Sequence, residues 1–502
     1  MSGGSVTTAS VAERTEVIAP TASPDPRRWA ALAIVAVAQL MVVLDATIVN
    51  IALPQAQASL GISDASRSWV VTAYTLAFGG LLLLGGRIAD YWGRKRTFMV
   101  GIVGFAVASA LGGLAQNGET LFAARALQGA FGALLAPASL ALLTVLFTEP
   151  RERAKAFGVY GAIAGGGAAV GLILGGVLTE YLDWRWCLLV NIPIALIAAA
   201  LAVRTVPESR AAGNTRYDIP GAALVTGGLV GLVYGFTRAA QDGWGSPVTL
   251  GLIGGSVVLL GLFVVVELRS SHPLLPMRIL FDATRGGAYL ASLLTGAGLI
   301  GATLFMTFYF QAVLAYTPIQ AGFASLPMTV GIFLAFPFAT ALLAKVGAKV
   351  LMSSGAFISA AGLLLFARIG VENEFWTTSF PAGLVMGIGL GLIFVPLGNV
   401  ALAGVDPHDA GAASAVISAS QQVGGSLGTA LLATIALSAF DGYMAEHLPA
   451  TAETAVAAMV RSYQVGFMWG AAFMVAAGVI ILVLVRGGTR TVANEPGLVH
   501  IG

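Results

Sequence analysis

Two ionisable side chains stand within long apolar stretches of this 502-residue chain. Asp45 lies in "MVVLDATIVNIAL" and Arg125 lies in "LFAARALQGAFGALL". A charge in apolar surroundings is costly, so each of these residues needs a partner or water. An arginine keeps its charge, whereas burial favours the neutral form of a carboxyl and so raises its pKa. An acid that changes between its neutral and charged forms can carry a proton, and Asp45 is the candidate for that role.

Asp45 and Arg125 either interact directly or both reach water. A purely structural interpretation also stays open. Asp45 is then a permanently paired acid, and Arg125 anchors the outer end of a helix that starts near Leu121. Thr47 and Asn50 place further polar groups close to the acid along the chain.

A second concentration of charge is the stretch "GGRIADYWGRKRTF" at residues 85–98. Asp90 and Arg94 are four residues apart, so they can pair on one face of a helix. The simpler interpretation is that the cations only anchor a cytoplasmic helix end, which leaves the acid and the flanking glycines unexplained. A reversible gate would account for the whole set: Gly86, Asp90, Gly93, Arg94, Lys95 and Arg96.

The elements that position these residues must cross an apolar medium. The chain is 57% hydrophobic and only 10% charged, whereas soluble domains carry about 25% charged residues. About 20 apolar residues cross the hydrocarbon core of a bilayer as a helix, and continuously apolar runs favour helices over a β-barrel. Fourteen spans are predicted, at 30–51, 69–88, 97–115, 121–147, 155–178, 186–204, 219–237, 248–268, 286–313, 320–343, 349–368, 376–403, 411–437 and 464–486.

The spans predict an all-α membrane protein with two pseudo-equivalent six-helix bundles, at residues 30–204 and 286–486. Two extra helices lie between the bundles, in a linker at residues 205–285. They contain few polar residues, and we expect them to hold no buried acid and to fill a groove between the bundles, outside any transport path. The predicted tails are a disordered segment at 1–29 and a segment at 487–502.

The two halves contain a weak internal repeat. "ATALLAKVGAKVLM" at residues 339–352 aligns with the charged stretch, so that Gly347 matches Gly93 and Ala344 matches Asp90. Both stretches lie between the second and third helices of a six-helix set. Paired halves of this kind are typical of transporters that alternate access around a central site.

Lysine and arginine are distributed unevenly between the two sides of the predicted bundle. Twenty of the 26 lie in segments on the side of the N-terminus, and five, including Arg461, lie in the opposite loops. Because cations concentrate on the cytoplasmic side of membrane proteins, both termini are predicted to be cytoplasmic, in the cell membrane. The charged stretch at 85–98 then lies on the cytoplasmic side.

Several function classes find no support in the sequence. A net charge of +2 gives no reason to expect nucleic-acid binding, and the single cysteine, Cys187, excludes an internal disulfide. The four histidines show no metal-ligand spacing, and no phosphate-binding loop of the Walker type occurs. The chain also lacks a catalytic Ser/His/Asp set, so we expect no enzyme activity, no metal and no cofactor.

Five motifs together resemble the major facilitator superfamily and, within it, the fourteen-helix drug:proton antiporters of multidrug efflux type. They are "LDATIVNIALP", "GGRIADYWGRKRTF", "RALQGAFGALLAPA", "WRWCLLVNIPI" and "GAASAVISASQQVGGSLGTALL". The resemblance implies a role for Arg125, with Asp45, in proton coupling. It also implies that Asp90 meets the start of the helix near Gly411 and holds the cytoplasmic side closed in the outward-facing state.

The fifth span departs from the pattern of these antiporters. Their motif has a proline where "VGLILGG" has Leu172, although the glycines Gly167, Gly171, Gly175 and Gly176 are present. Small residues at this spacing allow close helix contact in lipid, so static packing is an alternative to a role in antiport.

Substrate contacts are the least readable feature of the sequence. Aromatic and methionine side chains suit loosely bound amphiphiles, although each one taken alone is better explained as core or lipid-facing. The candidates are Tyr74, Phe78, Gln128, Met306, Tyr309 and Gln311.

We therefore expect a monomeric secondary transporter that exports small amphiphilic drugs or antibiotics, cationic ones among them, in exchange for protons, by alternating access. The proton gradient is the expected energy source. Two alternatives stay open: a proton-coupled carrier of a physiological solute such as a lipid, peptide or metabolite, and a non-transporting membrane sensor or scaffold.

Overall fold

The computed structural model describes residues 26–486 except 65, 148, 211–217, 271–272, 276, 373–374, 403–404, 406–409 and 448–450. Within these residues the chain is helical, without a strand. Apart from a short helix at Met277–Leu280, the elements are α1 Arg28–Leu60, α2 Trp69–Trp92, α3 Arg94–Gly113, α4 Gly118–Leu146, α5 Pro150–Tyr181, α6 Trp186–Thr205, α7 Ile219–Asp242, α8 Pro247–Arg269, α9 Ala283–Val313, α10 Pro318–Leu343, α11 Lys345–Phe366, α12 Phe375–Ala401, α13 Ala410–Glu446 and α14 Ala452–Leu484.

Among the described residues, thirteen of these helices are long and apolar enough to cross a membrane. The remaining one, α5, contributes the apolar segment Gly167–Tyr181. The prediction of an all-α membrane protein with about fourteen spans, in two six-helix bundles and an extra pair, is confirmed. The bounds differ at the last helix, which begins at Ala452. Arg461 therefore lies within α14, and its placement in a loop was wrong.

Two glycines mark equivalent points in the two halves. Gly93 separates α2 from α3 with φ 124°, and Gly347 interrupts the helical backbone at the start of α11 with φ 78°. Residues other than glycine rarely adopt a positive φ. The residues that the internal repeat aligns thus share a backbone conformation at the junction of the second and third helices of each bundle.

The first and last described residues, Pro26 and Arg486, lie at the same end of the bundle, which we call the terminal end. There Arg27 donates a hydrogen bond to the carbonyl of Arg204, and the Arg486 amide donates to Thr284. The opposite end is called the distal end. Two predictions fall largely outside the described residues. They are the disordered segment at 1–29, of which only 26–29 are described, and the tail at 487–502.

The two bundles meet at the distal end and along α2 and α13. At the distal end, Gln311 of α9 donates to the Ile51 carbonyl of α1 at 2.9 Å, and the Ile319 amide donates to Glu180 of α5 at 3.1 Å. Between the ends, the hydroxyls of Thr75 and Ser426 lie 2.5 Å apart. One apolar cluster at the distal end contains residues of both bundles.

The extra helices cover the outside of the α2–α13 junction. Val233 of α7 packs with Leu76 of α2 and Ala430 of α13, and Thr226 donates to the Gly80 carbonyl. Helix α8 packs on α7 and leaves most of its surface exposed. Its Glu267, however, is only 3% exposed. The expectation that this pair holds no buried acid was therefore wrong.

Candidate functional site

Asp45 and Arg125 form a direct ion pair inside the first bundle. Arg125 Nη1 lies 2.5 Å from Asp45 Oδ2, and the two side chains are 1% and 0% exposed. Of the two alternatives that the sequence left open, direct contact and separate access to water, the structure therefore has the direct contact. Arg125 sits about two turns inside α4 and does not anchor the helix at the surface.

Two amides complete the surroundings of the Asp45 carboxylate. Gln128 Nε2 and Asn191 Nδ2 each donate to Asp45 Oδ1 at 2.9 Å. Both amides also reach the hydroxyl of Ser109, at 2.7 Å and 3.3 Å. Hydrogen bonds to an ionised group are shorter and stronger than neutral ones. Four buried residues from α3, α4 and α6 thus hold the Asp45 carboxylate of α1 in place.

The guanidinium of Arg125 has further partners besides the acid. Its Nε donates to the Val70 carbonyl at 3.0 Å, and its Nη1 lies 2.9 Å from Gln128 Oε1. The guanidinium carbon lies 4.4 Å from the centre of the Tyr74 ring, a distance at which the ring attracts a cation. These contacts can hold the cation in part when the carboxylate takes up a proton.

Small residues let the helices approach closely enough for this network. Arg125 and Gln128 are three residues apart and share one face of α4. A side chain on Gly129, beside them, would collide with the Tyr74 carbonyl of α2. Gly175 of α5 packs against α1 near Asp45, since a Cβ there would lie 3.1 Å from the Ile48 Cα atom.

Sequence reasoning missed two members of the network, Ser109 and Asn191. A serine in an apolar span carries little signal, because its hydroxyl can satisfy itself on the helix backbone. Asn191 lies in the quoted stretch "WRWCLLVNIPI". An amide within an apolar span is the signal that could have identified it.

The charged stretch at the terminal end contains the predicted helix pair. Arg94 Nη2 lies 3.0 Å from Asp90 Oδ1, with the two side chains partly exposed. The predicted contact of Asp90 with the start of the helix near Gly411 stays a prediction, since residues 406–409, which precede α13, lie outside the described residues. Gly86 is close to α4, where a Cβ would lie 3.6 Å from Pro137 Cβ.

Lys95 and Arg96, which follow Arg94 in this stretch, contact the last turn of α6 and the segment after it. Lys95 Nζ donates to the Val203 carbonyl at 2.7 Å, and the Lys95 amide donates to Glu208 Oε1 at 3.2 Å. Arg96 Nε lies 3.6 Å from Glu208 Oε2. A Cβ on Gly93 would come within 2.6 Å of the same carboxylate. Glu208, which the sequence did not single out, accepts from the first turn of α3 and ties it to the linker.

The glycines of the fifth span face two different neighbours. Gly167, Gly171 and Gly175 pack against α1, whereas Gly176 packs against α10 of the second bundle, where a Cβ would lie 2.7 Å from the Ile319 Cα atom. Leu172 is buried, and its carbonyl faces Gly322 of α10. The contact between α5 and the second bundle is therefore made without the motif proline.

The six predicted pocket residues are divided among the network, the core and the bundle contact. Tyr74 and Gln128 belong to the Asp45 network, and Phe78 stacks on Tyr74 at 5.9 Å. Met306 and Tyr309 are buried in the distal apolar cluster, and Gln311 joins the two bundles.

A groove of about 500 Å³ lies elsewhere, at the distal end of the second bundle. None of the six candidates lines it. Its walls are Tyr316, Gln320, Phe323, Ala324, Leu326, Pro327, Val330, Phe375, Trp376 and Phe380.

Comparison with known proteins agrees with this architecture. Residues 35–429 match the sequence profile of the Major Facilitator Superfamily. A puromycin resistance protein of Streptomyces alboniger is 49% identical over 478 residues, which cover 94% of this chain and 94% of that protein. A cephamycin export protein of Amycolatopsis lactamdurans is 38% identical over 476 residues, which cover 94% of this chain and 95% of that protein.

Solved structures with little sequence identity share the fold. The human organic anion transporter MFSD10 superposes with a TM-score of 0.59 at 14% identity, covering 91% of this chain and 100% of that one. The tetrameric protein PepTSo2 superposes with a TM-score of 0.59 at 16% identity, covering 91% of this chain and 97% of that one.

The chain belongs to the major facilitator superfamily. It is a multi-pass membrane transporter and not an enzyme. The resemblance drawn from the five motifs is thereby confirmed at the level of the family.

Proposed function

We propose that this protein exports small amphiphilic drugs or antibiotics, cationic ones among them, from the cell in exchange for protons. The names of its relatives support the export of antibiotic-like compounds. Besides the puromycin and cephamycin proteins, a tetracenomycin C resistance and export protein of Streptomyces glaucescens is 31% identical over 446 residues, covering 88% of this chain and 82% of that protein.

The observation that carries the proton coupling is the Asp45–Arg125 pair. A carboxylate buried among one guanidinium and two amides is stable while it is charged. Protonation would remove half of the ion pair and leave the guanidinium with neutral acceptors only. Removing one partner of a buried pair costs about 3–5 kcal/mol. An energy of that size is enough to shift an equilibrium between two arrangements of the bundles.

The contacts between bundles indicate how the shift would act. In this structure the bundles meet at the distal end, through Gln311 and Glu180. We assign the terminal end to the cytoplasm, because it carries the excess of cations. The arrangement then corresponds to a state closed towards the outside, and the gate at Asp90 and Arg94 would close the cytoplasmic side in the opposite state. The glycines Gly167, Gly171 and Gly175 would allow α5 to move against α1.

In this proposal a single chain suffices, in the cell membrane, with both termini in the cytoplasm. The proton gradient supplies the energy, and no cofactor takes part. The proton moves from the outside onto the Asp45 carboxyl and leaves it towards the cytoplasm, while the drug moves in the opposite direction.

The proposal is tested in proteoliposomes that contain an imposed pH gradient and a lipophilic cationic dye or puromycin. We expect uphill transport that an uncoupler abolishes. The Asp45→Asn variant should lose uphill transport while downhill exchange persists, because the pocket and the bundle contacts remain. Asp64→Asn, which changes an exposed loop acid, is the control and should transport like the wild type. Uphill transport that survives the uncoupler, or proton coupling retained in Asp45→Asn, would refute the proposal.

A further inference from the structure

Two buried acids lie side by side at the terminal end, far from Asp45 along the chain. Glu267, in the last turn of α8, is 3% exposed, and Asp218, which precedes α7, is 8% exposed. Both approach Gly221. A Cβ on that glycine would lie 2.6 Å from Glu267 Oε1 and 3.0 Å from Asp218 Oδ1. The two carboxyl groups are therefore neighbours in a place that water barely reaches.

Each acid has one oxygen bonded and one oxygen free of partners among the described residues. Asp218 Oδ1 accepts from the Gly221 amide at 2.8 Å, and Glu267 Oε2 accepts from the Leu275 amide at 3.1 Å. Asp218 Oδ2 and Glu267 Oε1 are buried without a hydrogen bond. An unpaired buried carboxylate oxygen is costly, and two neighbouring carboxylates repel each other.

Among the described residues, the cation whose charge acts on Glu267 is that of Arg87, and its guanidinium is bonded elsewhere. Arg87 of α2 donates to the Pro273 carbonyl at 3.0 Å. Pro273 is two residues before Leu275, whose amide donates to Glu267. The phenol of Tyr289 in α9 is the other titratable group in the surrounding apolar cluster. Two carboxylates and one guanidinium leave an excess negative charge, which a single proton would neutralise.

The pair lies where three parts of the molecule meet. The apolar cluster beside it joins Leu83 of α2, Leu224 of α7 and Phe263 of α8 to Tyr289 of α9 and Val416 of α13. The segment 273–275, which Glu267 holds through the Leu275 amide, leads from the extra helices into the second bundle. A change of charge here would act on the joint between the bundles and the extra pair.

We propose that Asp218 and Glu267 form a second proton-binding site, which shares one proton between the two carboxyl groups. The proton comes from water and binds to Glu267 Oε1, and the new O–H group donates to Asp218 Oδ2. Loss of the proton leaves two buried carboxylates that repel each other. This repulsion separates them and moves Glu267 away from segment 273–275, and it outweighs the stronger hydrogen bond that an ionised carboxylate accepts from the Leu275 amide. The site itself is independent of transport. Its role in the transport cycle rests on the proposed function.

Infrared difference spectroscopy of the protein in lipid tests for the shared proton. At neutral pH the wild type should show the carbonyl band of a protonated buried carboxyl. Glu267→Gln should remove that band, because it removes the oxygen that binds the proton. Asp218→Asn should shift it in frequency, because the O–H group of Glu267 then donates to an amide oxygen in place of a carboxylate. Asp242→Asn, which changes a partly exposed acid of α7, should keep it. A band that is absent in the wild type, that neither Glu267→Gln nor Asp218→Asn changes, or that disappears only in Asp45→Asn would overturn the proposal.

Amide hydrogen exchange in segment 273–275 measures how strongly the same site holds this segment. In the wild type, protection of the Leu275 amide should fall at least tenfold, beyond the intrinsic pH effect, as pH rises past the titration of the pair. Glu267→Gln should show no such fall, since its amide oxygen can still accept from Leu275 at every pH. Equal pH dependence in the two proteins would count against the site. Neither measurement depends on transport, so failure of proton-driven export would leave both results intact.

Discussion

Asp45 and Arg125 compensate each other's charge in a place where neither could remain alone. The pair is 80 residues apart along the chain and fully buried. The uncharged amides of Gln128 and Asn191 donate to the carboxylate and orient it without adding charge. Ser109 accepts from the Asn191 amide. A site of this composition compensates one buried negative charge, and in the proposed transport cycle its state changes when a proton arrives.

The energetic consequence can be tested by comparing single and double variants. Asp45→Asn leaves Arg125 buried without its counter-charge, so it should destabilise the protein by about 3–5 kcal/mol. Asp45→Asn with Arg125→Gln removes both charges and should recover most of that loss, although it should not recover uphill transport. Thermal unfolding of the purified proteins in detergent measures the difference. If the double variant is no more stable than Asp45→Asn, the loss of stability in Asp45→Asn does not come from the uncompensated charge of Arg125.

The Asp90–Arg94 pair differs from the buried pair in its exposure. Because both side chains are partly exposed, the pair contributes only about 0.3–0.5 kcal/mol to stability. We predict that Asp90→Asn leaves abundance and thermal unfolding nearly unchanged while it sharply reduces transport, since the gate loses its charge. Glu149→Gln, at an exposed position at the terminal end, serves as the control. Transport that is equal in both variants would assign the stretch to simple anchoring.

At the scale of the helices, close approach decides which elements can share a site. Helix α4 reaches α2 because Gly129 has no side chain, and α5 reaches α1 through Gly171 and Gly175. In lipid, where apolar surfaces gain little from leaving the solvent, such contacts replace the hydrophobic effect as the source of helix association. The network around Asp45 depends on them because its residues come from four helices.

Two glycine substitutions separate packing from helix propensity. Gly129→Ala should destabilise the protein by about 1–3 kcal/mol, because its Cβ would collide with the Tyr74 carbonyl. It should also reduce transport, since the shift moves α2 away from Arg125. Gly251→Ala in α8 has nothing within 4 Å and should be neutral or stabilising by up to about 1 kcal/mol. Thermal unfolding curves of the two variants test the contrast, which would fail if both behaved alike.

At the scale of the whole molecule, the two bundles are joined unevenly. Contacts at the distal end and along α2 and α13 link them, and the extra helices bridge the same junction from outside. Alternating access requires that some of these contacts break in each cycle. Those made by Gln311 and by Thr75 are candidates, because each joins one bundle directly to the other.

A disulfide between the bundles should stop the cycle. The hydroxyls of Thr75 and Ser426 lie 2.5 Å apart across the junction, so Thr75→Cys with Ser426→Cys places two thiols within bonding reach. In a Cys187→Ser background, oxidation should abolish transport and a reductant should restore it. Either cysteine alone should be insensitive to oxidant. Full transport by the oxidised double variant would show that these positions need not separate.

The sequence by itself determined the helical architecture. Each span must satisfy its own backbone hydrogen bonds in lipid, so its length and apolar content are local properties that can be read directly. The same logic singled out Asp45 and Arg125, because a charge in an apolar run is locally anomalous. The alignment of Gly93 with Gly347 also held, since a sharp turn requires a particular residue at a particular position.

Only the tertiary structure decided which side chains meet. Asn191 lies 146 residues from Asp45 along the chain, and no local pattern indicates that its amide donates to the Asp45 carboxylate. Met306 and Tyr309 suit a binding pocket, a core or a lipid-facing surface by composition, and packing placed them in the core. Glu267 is near the end of its helix, where the sequence alone suggests exposure, yet α7 and segment 273–275 bury it. In each case the surroundings are made by other helices, and their packing is a property of the folded chain as a whole.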